Sequence, residues 1–167
     1  MKALTLAVLL LGAFVLMAPA VDAQQRKFKT NLSGDEEVPP VDTTTTGKFK
    51  IKFNSTDTEA KFKLTVKRGV EITQAHLHCN EAGENGPIVV FLFGMVPGGF
   101  DVNGKLAKFT LTDENITARG TGVDCEPIIG FPITNLSELR QAIEDGDIYV
   151  NVHSVDNPGG EVRGQLQ

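Results

Sequence analysis

The feature that most constrains this chain is strict two-residue alternation. In Lys48-Phe49-Lys50-Ile51-Lys52-Phe53 every second side chain is apolar, and Glu59–Lys67 repeats the pattern. A helix would scatter these apolar groups around its circumference. A strand puts Phe49, Ile51, Phe53, Phe62, Leu64 and Val66 on one face and the lysines on the other. The polar segment Asn54–Thr58 joins the two runs and reads as the turn of an antiparallel hairpin. Seven further stretches carry strand signals: Lys27–Leu32, Thr73–Cys79, Ile88–Phe93, Leu106–Thr112, Ile116–Gly120, Ile148–His153 and Glu161–Leu166. Gly, Pro, Asn and Asp clusters separate most of them, and Gly94–Gly99 and Asn157–Gly160 read as turns. Nine short strands in one chain predict an all-β, antiparallel Greek-key or immunoglobulin-like sandwich.

One segment has a helical period instead. Leu136, Leu139 and Ile143 recur at i, i+3 and i+7, with Thr134 or Asn135 placed to cap the start and Gly146 just past the end. A single short helix over 135–145 is expected to plug one end of the sandwich or to cover a sheet edge.

The N-terminus is expected to be removed. Lys2 precedes the uncharged run Ala3–Met17, and Val21-Asp22-Ala23 places small residues at the −3 and −1 positions. Met1–Ala23 reads as a secretory signal peptide. One domain over 24–167, with no transmembrane segment, is then expected in an extracellular or periplasmic-type compartment. Two cysteines are too few for a disulfide scaffold. In an oxidising compartment Cys79 and Cys125 suit a single bridge, and two separate buried thiols are the alternative. Sequons begin at Asn31, Asn54, Asn115 and Asn135, each a glycosylation candidate if the source organism uses them.

Charge is unevenly distributed. Residues 24–70 hold ten Lys/Arg against six Asp/Glu, whereas 71–167 hold five against fourteen. The whole chain carries −5, which argues against a nucleic-acid partner. The hairpin turns Lys48, Lys50, Lys52, Lys61, Lys63 and Lys67 to one side. Such a row reads first as a solvated face, or as an edge that lysines keep from pairing. Its functional alternative is a landing strip for an anionic polymer or an acidic partner.

All three histidines lie in two strand segments. His76 and His78 share a face in Gln74–Cys79, opposite Ala75, Leu77 and Cys79. Tyr149, Asn151 and His153 share a face in Ile148–His153, opposite Val150 and Val152. If the strands are neighbours, three imidazoles meet, with Asn151, Glu161, Arg163 and Tyr149 as supporting polar groups. Three imidazoles with an open position suit copper or zinc, and Glu81, Glu84 and Glu161 are nearby oxygen donors. The alternatives are that the rings merely knit the sheet face through hydrogen bonds to Asn151, Glu161 or Arg163, or stack at the surface with Tyr149. Enzyme signals are absent: there is no Gly-X-Ser-X-Gly and no phosphate loop, and a dinuclear copper site of dismutase type takes more than three histidines. The acid pairs Glu36/Glu37 and Asp113/Glu114 face apart if extended, so no catalytic residue is assigned.

The same stretches carry a family resemblance. Ala75-His76-Leu77-His78-Cys79, followed by Gly83–Leu92, resembles the middle signature of the CHRD domain, which is named after the extracellular protein chordin. Gly146–Ser154 with Pro158–Leu166 resembles its second signature, and Leu32–Val41 with Thr46-Gly47 its opening. The resemblance spans residues 28–166. It implies an exported, all-β, non-enzymatic binding module acting on an extracellular protein or a surface polymer. Chordin's growth-factor binding is not implied, because this chain lacks chordin's cysteine-rich modules.

Overall fold

The computed structural model describes residues 26–116 and 125–167. The expected signal peptide, and all but Ile116 of the strand expected over 116–120, lie outside the described residues. Seven strands are described: β1 (Lys27–Leu32), β2 (Thr46–Phe53), β3 (Ala60–Cys79), β4 (Ile88–Phe93), β5 (Phe100–Leu111), β6 (Ile148–Ser154) and β7 (Val162–Gln165). All pair antiparallel, in the order β1-β2-β3-β6-β7, with β4 and β5 also paired to β3. The expected all-β antiparallel sandwich is the observed fold.

The organising element is β3. The two strands expected at 59–67 and 73–79 are one strand of 20 residues. Its first half pairs with β2 and β5, and its second half with β4 and β6. Between the halves the backbone is irregular. Arg68 and Glu71 have positive φ (53° and 46°), and the pairing with β5 shifts register on either side of Gly69. Such bulges turn a strand and change which side chains face inward. Before this point the even-numbered residues Phe62, Leu64 and Val66 face the core; after it the odd-numbered Ala75, Leu77 and Cys79 do. One chain segment thus serves both halves of the structure. β5 begins at Phe100, earlier than the alternation from Leu106 suggested.

The two ends of the strand path meet. Ser33 and Arg163 exchange backbone hydrogen bonds, and the Lys29 amide donates to the Gln167 carbonyl. Gly164 makes this seam possible: a Cβ there would sit 2.2 Å from the Asn31 carbonyl oxygen. Inside lies one apolar cluster that includes Phe28, Phe49, Ile51, Phe53, Leu77, Val150 and Val162. The Cys79–Cys125 disulfide is formed, tying the end of β3 to the turn that opens α1 (Glu126–Ile129), a short helix the periodicity did not reveal.

The expected helix is α2 (Leu136–Asp145). The Asn135 side chain accepts the Glu138 amide at 3.0 Å, and Gly146 closes the helix in the left-handed conformation. Leu136, Leu139, Ala142 and Ile143 are buried. Arg140 reaches Asp57 in the β2–β3 turn at 3.0 Å, and Arg26 pairs with the same carboxylate. The helix therefore covers the hairpin end of the sandwich.

Candidate metal centre

On the second half of β3 the face turned away from the apolar core is not solvent-exposed. His76, His78, Tyr149, Asn151, His153 and Arg163 are all at most 8% exposed. Cross-strand register sets their places: His78 is opposite Tyr149, His76 opposite Asn151, Gln74 opposite His153, and Asn151 opposite Arg163. Three loops close over them. Glu37, from the first, takes two hydrogen bonds from the Asn151 amide at 2.9 and 3.0 Å. Gly86 and Pro158, from the loops after β3 and β6, each present a carbonyl to a histidine. Gly160 belongs to the same lid; its φ is +155° and a Cβ there would meet Glu37 Oε2 at 2.4 Å.

The three imidazoles converge, with one nitrogen from each lying within 4.8 Å of the others. Their hydrogen bonds assign their tautomers. A carbonyl can only accept, so His78 Nδ1–H donates to Gly86 at 2.9 Å and His153 Nδ1–H donates to Pro158 at 3.0 Å. That leaves His153 Nε2 as a lone pair. It accepts from His76 Nδ1–H, 3.0 Å away. By elimination Nε2 is a lone pair on His76 and on His78 too, and neither of these buried atoms has a hydrogen-bond partner. His78 and His153 are oriented by N–H groups donated to backbone carbonyls, the arrangement that outer groups impose on metal-binding histidines, whereas His76 is oriented by its bond to His153.

Burial keeps the rings neutral. It is the main cause that pushes His76 down to about 3 and His78 to about 4, with neighbouring histidines adding to the effect. Burial lowers His153 as well, against the Pro158 hydrogen bond. Burial raises the Glu37 carboxyl to about 7, although Arg163 and Asn151 oppose it. Around a tetrahedral ion with bonds of about 2.0–2.1 Å, nitrogens sit about 3.3 Å apart.

The supporting residues named from the sequence are all in this layer, yet none hydrogen-bonds an imidazole. Tyr149 stacks on His78 with ring centroids 4.9 Å apart and planes 6° apart. Arg163 lies over the other face of Tyr149, 3.5 Å from its centroid, and donates to Asn85 and to the Glu81 carbonyl. Asn151 is taken by Glu37. Glu161 accepts from Thr43, Ser154 and Asn157, and these bonds lower its pKa although burial alone would raise it. The side chains of Glu81 and Glu84 belong to exposed loop residues and are not part of the donor cluster.

Sequence reasoning missed Glu37, Gly86, Phe91 and Pro158. Phe91 packs edge-on against His76 at 4.5 Å. The available signal was the family motif itself, since the three matching segments supply every one of these residues. The sequons fall at varied places. Asn31 is exposed on β1, Asn54 accepts turn amides, Asn135 caps α2, and the triplet at Asn115 ends beyond the described residues.

No helix among the described residues is long and apolar enough to cross a membrane. No curated protein and no solved structure gives a significant match to the chain. The family model of the CHRD domain matches residues 28–166, and that family is of extracellular, binding-module type. With the match running from β1 to the residue after β7, and its motifs converging on one buried polar layer, the chain belongs to the CHRD domain family.

Proposed function

We propose that this protein is an exported, non-enzymatic binding module whose buried polar layer takes one copper or zinc ion through His76, His78 and His153. One observation carries the reading. Two buried imidazole lone pairs, Nε2 of His76 and Nε2 of His78, have no hydrogen-bond partner, and each of the three rings brings one nitrogen within 4.8 Å of the others. Leaving a buried acceptor unpaired costs about 1–3 kcal/mol. A cation satisfies both, and ligation by His153 Nε2 as well requires that the hydrogen bond from His76 Nδ1–H to that atom give way. Neutral imidazoles suit either metal, and Nδ1–H groups anchored to backbone carbonyls raise their basicity toward it.

The test is metal content and melting temperature of the untagged mature chain. We expect close to one equivalent of copper or zinc and a higher melting temperature when the metal is added. His78→Ala removes one of three ligands and is expected to weaken binding by at least tenfold. Circular dichroism keeps loss of fold distinct from loss of site. A folded wild-type protein that ignores both metals overturns the reading.

A further inference from the structure

The opposite charge problem arises on the first half of β3, away from the histidines. The hairpin lysines anticipated from sequence are only part of a larger array. In the β1–β2–β3–β5 register, Lys29 is opposite Lys50, Lys50 opposite Lys63, and Lys63 opposite Lys108. One lysine per strand thus forms a straight row, at a strand spacing of about 4.8 Å. A second row sets Lys27, Lys52 and Lys61 side by side, and a third contains Lys48 and Lys105. With Lys67 this makes ten, all exposed, and every lysine of the described residues is among them. Residues 27–31, 46–52, 61–67 and 105–110 contain no Asp or Glu.

Six of the ten lysines, Lys48, Lys50 and Lys52 on β2 and Lys61, Lys63 and Lys67 on β3, do not protect an edge. β2 is paired on both sides, and so is the first half of β3. Like charges directly opposite one another destabilise a sheet. A chain of net charge −5 has no need of ten lysines on one face for solubility. The face is also shaped. A groove of about 880 Å³ runs along it, where Lys29, Lys48, Lys50 and Lys63 stand beside the neutral side chains of Asn31 and Gln167, with Glu36 the one carboxylate of the lining.

We propose that this groove binds a linear acidic polysaccharide, a sugar chain with carboxylates or sulfates at regular intervals. Charge complementarity supplies the attraction, and the lysine row supplies a repeat along which such a chain can lie. Amide side chains in the groove offer donors and acceptors to sugar hydroxyls, which a lipid leaflet would not use. The array is entirely lysine, and the groove presents no exposed aromatic ring on which a nucleobase could stack. A concave track also fits a single chain better than a flat membrane or a duplex. The site is separate from the histidine layer, so its success or failure leaves the metal reading untouched.

The experiment measures binding of the full mature chain to dextran sulfate and to polygalacturonate, with uncharged dextran as the blank. Duplex DNA and phosphatidylserine vesicles are the competing ligands at the same ionic strength. We expect both acidic polysaccharides to bind, dextran not to bind, and affinity to fall with added salt. Replacing Lys29, Lys50, Lys63 and Lys108 with Gln should weaken binding more than tenfold and flatten the salt dependence. The same variant should melt no lower than wild type, because the substitutions relieve repulsion. Unchanged polysaccharide binding in the four-lysine variant overturns the proposal. So does equal or tighter binding of DNA or vesicles, and so does failure of wild type to bind either polysaccharide.

Discussion

At the residue scale, the histidine layer and Glu37 pull stability in opposite directions with pH. His76 and His78 have native pKa values of about 3 and about 4, against 6.5 for an unperturbed imidazole. Below 6.5 the unfolded chain therefore takes up protons that the native state refuses, and stability falls as pH drops toward 4. Glu37 is raised to about 7 from 4.5. Its contribution is fully present below 4.5 and is lost as pH rises through 7. For the metal-free chain we expect a lower melting temperature at pH 4.5 than at pH 6.5. Glu37→Gln should steepen the rise in melting temperature between pH 5 and 6.5, because it removes the contribution that is lost as pH rises through 7. Melting curves followed by circular dichroism read both, and a midpoint that rises from pH 6.5 to pH 4.5 contradicts the assignment of buried neutral histidines.

At the element scale, period and punctuation made much of the fold legible. The boundaries of β1 follow from alternation, those of β4 from its continuous apolar run, and the extent of α2 from the i, i+3, i+7 apolar set, Asn135 and Gly146. The cap is expected to contribute about 1 kcal/mol, so Asn135→Ala should lower unfolding stability by that amount in a urea titration. No change would mean that the Asn135–Glu138 hydrogen bond is dispensable. The continuity of β3 was not legible. Arg68-Gly69-Val70-Glu71 has the composition of a turn, and tertiary pairing with β5 at Gly69 and Ile72 and with β6 at Ile72 keeps the segment in the sheet. The parity switch there is what lets the lysines and the histidines both face outward from one strand. Glu37, Gly86 and Pro158 escaped notice for a related reason. They act from loops, where no period ties a residue to a face.

At the scale of the whole molecule, the sandwich buries apolar groups within and carries two polar specialisations outside. One is closed by loops and holds Arg163, Glu37 and Glu161 as charged neighbours of the histidines; the other is open and strongly basic. The uneven charge visible in the sequence is thereby resolved into a face. The Cys79–Cys125 bridge fixes the end of β3 immediately beside His78, linking the covalent frame to the candidate metal centre. The most direct measurement of the central claim is the long-range ¹H–¹⁵N NMR spectrum of the three imidazoles as zinc is added at pH 7. Three neutral rings are expected without metal, each with its proton on Nδ1, and simultaneous shifts of all three that saturate at one equivalent. Imidazolium signals at pH 7, or rings unmoved by zinc, would contradict the claim.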